Sequence, residues 1–96
     1  MPLETHPFDP ASYLDSEEGI AAYMDEAMST GDAAFIADAL GVVARARGMS
    51  QVARDAGLSR ESLYRALSPD GNPELSTVLR VVQALGLRLS VKSATS

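Results

Sequence analysis

The chain has no cysteine, which excludes disulfides, thiolate metal sites and thiol nucleophiles. Its single histidine, His6, stands between prolines near the start, so a histidine-based zinc site lacks the partners it needs. No His-paired nucleophile, phosphate-cradling glycine loop or carboxylate cluster at metal spacing is present. The expectation is a protein without catalytic activity, cofactor or metal. No apolar run approaches the roughly 18 residues of a membrane span. The first residues lack the basic and apolar regions of a secretory signal, so a soluble, cytoplasmic protein is expected. With 96 residues, 46% of them apolar, the chain suffices for one small domain.

A further absence is one of sign. Residues 1–44 contain no Lys or Arg and nine acids: Glu4, Asp9, Asp15, Glu17, Glu18, Asp25, Glu26, Asp32 and Asp38. All eight bases lie in residues 45–96, beside only four acids. The formal net charge of −5 therefore hides an acidic half and a basic half. Such asymmetry points to two surfaces with different partners, the basic one suited to nucleic acid.

Residues 1–14, with Pro2, Pro7 and Pro10, read as an irregular arm anchored by Phe8, Tyr13 and Leu14. Ile20, Tyr23, Met24, Ala27 and Met28 recur at helical spacing and predict an amphipathic helix over 16–29. Asp15 or Ser16 would cap it, Asp15 with Glu18 as a capping box. Asp32 caps a second helix running to Arg47, with Ile36, Leu40 and Val43 on one face and Gly48 as its stop. A short third helix covers Ser50 to Ala56, ended by Gly57. A fourth, capped by Ser59, covers Arg60 to Leu67. Ser68-Pro69-Asp70-Gly71 is a turn string. Asn72 caps a fifth helix with Pro73 at its first position. Leu75, Val78, Leu79, Val82 and Leu85 form its stripe, and Gly86 stops it. Leu87, Leu89 and Val91 then alternate with Arg88, Ser90 and Lys92, the period of a short strand.

The stretch from Gly48 to Leu67 holds the functional signal. Two short helices meet at Gly57, with small Ala53 at the expected crossing and Leu58, Leu63 and Leu67 spaced to pin the second helix. This pattern resembles the lambda-repressor-like, or Xre, helix-turn-helix domains. The resemblance extends over most of the chain. Tyr13-Leu14-Asp15, the run Ala44 to Gln51, Leu63 to Pro69, Gly71-Asn72-Pro73 to Leu79, and Ala84 to Val91 are similar to the addiction-module antidote proteins, the HigA-like antitoxins. The fold implied is all-α: a five-helix domain with an N-terminal arm and helix and a short C-terminal β-strand. Residues 1–30 would be the arm and acidic helix, and residues 31–96 the DNA-binding domain with its strand.

Family resemblance implies an antitoxin that neutralises a RelE/HigB-like ribonuclease and represses its own operon. In Xre domains the second helix of the motif enters the major groove. Carried onto this chain, that makes Arg60, Glu61 and Arg65 the candidate base readers, with Ser62 in support. Arg60 and Arg65 suit guanine O6 and N7, while Glu61 suits cytosine N4 or an ion pair with Arg65. Ser59 caps the helix and reaches phosphate, Ser50 and Gln51 lie near the backbone, and Tyr64 either meets a thymine methyl or packs on the domain. Many domains of this class carry glutamine where Met49 stands.

Tyr13, Ile20, Tyr23, Met24 and Met28 form an apolar face on an acidic segment, which either covers the core or receives a basic toxin. A palindromic operator requires a two-fold protein, so a homodimer is expected, joined through Leu87, Leu89 and Val91 with help from an outward Val81; the alternative is that this strand pairs within the chain or covers the core. The alternatives are a free-standing Xre-type regulator, or a protein-interaction module without DNA affinity, which the net acidity favours.

Overall fold

The computed structural model describes Leu14 and residues 16–94. Those residues form five helices: α1 (Glu17–Ser29), α2 (Ala33–Arg47), α3 (Met49–Ala56), α4 (Arg60–Ala66) and α5 (Leu75–Ala84). No strand is present among the described residues, and the fold is all-α.

Local chemistry sets most of the boundaries. Ser16 Oγ accepts a hydrogen bond from the Gly19 N–H at 3.0 Å and so caps α1, while Asp15 lies outside the described residues. Glu17 and Glu18 occupy the first turn, where the helix dipole favours carboxylates. Asp32 Oδ1 accepts from the Ala34 and Phe35 N–H groups at 3.0 and 3.3 Å and opens α2. Arg45 and Arg47 lie in the last turn of α2, the end that attracts cations. Gly48, at φ 108°, separates α2 from α3 and needs a glycine's freedom.

Three expectations are corrected. Helix α5 starts at Leu75, with extended Glu74 at its cap position, so Asn72 and Pro73 precede the helix. Proline restricts Asn72 to extended backbone, and that extension continues through Glu74. Gly71 lies so close to the end of α4 that a Cβ there would overlap the Arg65 and Ala66 carbonyls. Residues 87–93 carry no regular secondary structure, because a lone extended segment has no ladder partner among the described residues. Val81 is fully buried rather than outward; the exposed apolar groups of α5 are Leu75 and Leu79.

One core joins all five helices. Ile20, Leu40, Val43, Leu63, Val81 and Leu85 are completely buried within it, and Leu14 anchors the chain ahead of α1. Each contributes about 1.5–3 kcal/mol of apolar burial. Helix α3 packs on α2, α4 and α5, and α1 packs on α2. The first turn of α1 also approaches the end of α5: a Cβ on Gly86 would meet the Glu17 carboxylate at 3.0 Å. No helix of the described residues is long and apolar enough to cross a membrane.

Two stability predictions follow from this packing. Leu63→Ala should cost about 2–5 kcal/mol in urea unfolding, whereas Leu75→Ala, at an exposed position, should cost well under ~1 kcal/mol. Equal losses at the two sites would refute the core assignment. The Tyr23 phenol is raised above its ordinary value by burial and, secondarily, by the Asp38 carboxylate. The folded state therefore holds this proton more tightly, and stability should fall as pH rises past the ordinary tyrosine value of 10.0. Tyr23→Phe should remove that part of the alkaline loss in melts recorded from pH 9 upward.

Candidate nucleic-acid interface

Helix α3 ends at Gly57, whose backbone is left-handed at φ 74°, ψ 31°. The Leu58 N–H returns to the Ala53 carbonyl at 2.8 Å, and the Gly57 N–H to Arg54 at 3.2 Å. A Cβ at Gly57 would meet nothing within 4 Å, so the glycine is required for its conformation and not for space. Ser59 then caps α4: its Oγ accepts from the Ser62 N–H at 3.0 Å and donates to Ser62 Oγ at 2.8 Å.

Burial decides which face of α4 is available. Leu63 and Leu67 point into the core, and Ser62 is half-buried. Arg60, Glu61, Tyr64 and Arg65 are consequently exposed together on the opposite side. Tyr64 is 42% exposed, and the Arg60 guanidinium lies over its ring, 5.5 Å from the centroid. A long contact of 3.4 Å from Arg60 Nη2 to Tyr64 Oη accompanies the stacking. The side chains of Glu61 and Arg65 have no hydrogen-bond or ion-pair partner among the described residues, so both are free to engage another molecule.

On α3, Ser50, Gln51 and Arg54 are exposed. Gln51 Nε2 donates to Asp55 Oδ1 at 3.0 Å, a bond along the helix that leaves its second N–H and its carbonyl oxygen available. Met49, at the position where glutamine occurs in many Xre domains, is buried in the core. Arg54 on α3 and Arg60 and Arg65 on α4 are thus exposed cations of the two helices, beside the exposed acids Asp55 and Glu61. Arg45 and Arg47 are exposed at the end of α2.

The other candidate residues lie elsewhere. Ile20 and Met24 are buried in the core, Tyr23 is half-buried, Met28 is 38% exposed, and Tyr13 lies outside the described residues. Ile20 is closed to any partner, and Met24 keeps only a small exposed edge. Leu87 and Leu89 are half-buried against the core, and Val91 is exposed. A groove of about 430 Å³ between α1, α5 and residues 87–90 is lined in part by Ala21, Ala22, Val78 and Val82. Ala21 and Ala22 carry no chemical signal in the sequence that would have marked them.

Comparison with known proteins adds a family. The family model described as "Probable addiction module antidote protein" matches residues 4–93. A protein of Haemophilus influenzae strain Rd, named only as uncharacterised, is 51% identical over 87 residues, which span 91% of this chain and 90% of that protein. No solved structure matches the chain.

The geometry of the inter-helix turn is testable by itself. Gly57→Ala should cost about 1–2 kcal/mol, the strain of a left-handed alanine, and Ser59→Ala about 1 kcal/mol, the loss of a cap. Chemical denaturation of both variants beside the parent would check this. A Gly57→Ala protein of parental stability would exclude the left-handed turn.

Proposed function

The chain belongs to the family of probable addiction module antidote proteins, and from that membership we propose that it is a DNA-binding antitoxin. In this reading it neutralises a RelE/HigB-like ribonuclease and represses its own operon through a lambda-repressor-like helix-turn-helix formed by α3 and α4. The observation that carries the DNA reading is the outward face of α4. Arg60, Glu61, Tyr64 and Arg65 share exposure there because Leu63 and Leu67 are inside. Side chains so held can reach base edges in a major groove while Ser50, Gln51, Ser59 and Ser62 meet backbone phosphates.

The protein acts as a homodimer on a palindromic operator. Residues 87–91, with Val91 exposed and no ladder partner among the described residues, supply the segment that pairs with a second copy. The toxin is held through residues 12–30, and the DNA through residues 50–75, so that the acidic and basic halves face partners of opposite charge. Neither task calls for catalysis or a cofactor, and both belong in the cytoplasm. A protein-interaction module without DNA affinity is the second reading, favoured by the net charge of −5.

Arg60→Ala and Arg65→Ala should each weaken operator binding by about 1–3 kcal/mol at matched salt, with far-UV circular dichroism unchanged. A mobility-shift titration on the promoter fragment upstream of the gene is the measurement. Parental binding by both variants would remove α4 as the reading helix. No salt-dependent shift with the parent would favour the interaction module.

A further inference from the structure

The groove between α1, α5 and the C-terminal segment is a site separate from the outward face of α4. Its floor is apolar, with Met24, Leu40 and Val82 at its base and Val78, Leu87 and Leu89 along its walls. Exposed apolar groups collect around it. Met28 belongs to its lining, Leu75 and Leu79 flank Val78 on the same side of α5, and Val91 follows the residues that form its far wall. Surface apolar groups that gather around one depression mark an interaction site more often than a chance exposure.

The α1 wall is low and acidic. Ala21 and Ala22 are small and exposed, and Glu18 and Asp25 stand on the same side of the helix, one turn before and one turn after them. Neither carboxylate has an ion-pair or side-chain hydrogen-bond partner among the described residues. The opposite wall contributes one cation, Arg88. A guest seated here meets an apolar floor, carboxylates along one edge and a single guanidinium along the other.

We infer that this groove receives an amphipathic helix of a basic partner protein, its apolar face on Val78, Val82, Leu87 and Leu89 and its Lys or Arg edge along Glu18 and Asp25. The inference rests on the antitoxin reading and deepens it, since the toxin is the partner that reading supplies. It moves the docking surface away from Ile20, which the core consumes, to the edge of α1 that remains open, with Met24 only as part of the floor. It also adds α5 and residues 87–90 to the docking surface, none of which lies in residues 12–30. Helix-in-groove recognition lays the apolar face of an amphipathic helix into an apolar trough, and the carboxylate rail suits a basic one.

The experiment is co-expression of the full chain with the small basic protein of the adjacent reading frame, followed by affinity capture and titration. Ala22→Arg raises and recharges the α1 wall at an exposed position, and Val78→Arg blocks the α5 wall outside the proposed dimer segment. Phe35→Asp, 51% exposed on α2 outside the groove lining, is the control. The expected result is at least tenfold weaker capture by Ala22→Arg and by Val78→Arg, parental capture by Phe35→Asp, and a cooperative thermal melt for all three. Glu18→Lys with Asp25→Lys should weaken capture in a salt-dependent way. Parental capture by both groove-blocked proteins overturns this inference and leaves the antitoxin reading standing. No complex with the parent chain overturns both. If Ala22→Arg instead converts a dimer of the chain alone into monomers by sedimentation, a second copy occupies the groove and the inference falls.

Discussion

Leu63 and Leu67 lie inside a core that no single helix of this chain could close by itself. Everything exposed on α4 depends on that burial. Once the two leucines are inside, helical geometry leaves Arg60, Glu61, Tyr64 and Arg65 outside, and the left-handed turn at Gly57 sets where α4 begins. The core that holds them draws on every other helix: Ile20 from α1, Leu40 and Val43 from α2, Val52 from α3, Val81 from α5 and Leu85 just after it. A small domain has no reserve of buried area. The candidate reading face and the first helix are therefore coupled through shared packing, although they lie far apart in sequence and carry opposite charge.

That coupling bears on how two partners can use one small protein. The acidic and basic halves are sequence facts, but they belong to one packed unit, with Leu14 and α1 contributing to the same core as α4. A partner that held Ile20 directly would have to peel α1 away, and α4 would lose part of its support. A partner seated on the open edge of α1 leaves the core intact. The groove beside α5 provides the second route, because its apolar floor is already formed in the single chain.

Helix positions were largely legible in the sequence because their signals are local. Asp32 and Ser59 cap helices by bonds to residues two or three positions away. Gly57 declares a left-handed turn, and the leucine spacing around Leu63 declares an inner face. Where such signals compete, local reading misplaced the boundary. Asn72-Pro73 carries the chemistry of a helix start, yet Gly71 packs against the end of α4 and the chain stays extended through Glu74. The alternation of Leu87, Leu89 and Val91 is the period of a strand, but a strand is defined by its partner, and none lies among the described residues.

The sequence by itself determined the helical class, most helix ends, the charge division and the family resemblance, since each rests on residue type and short spacing. Only the tertiary structure decided which apolar stripes are consumed. Ile20 and Met24 carry the same helical signal as a docking face, and Val81 the same as an outward contact, but all three are inside. Periodicity reports that a helix has an apolar side; it does not report whether another part of the chain covers it. The groove was decided in the same way, by Ala21 and Ala22 of α1 coming to face Val78 and Val82 of α5, a juxtaposition of residues more than fifty positions apart that no local pattern encodes.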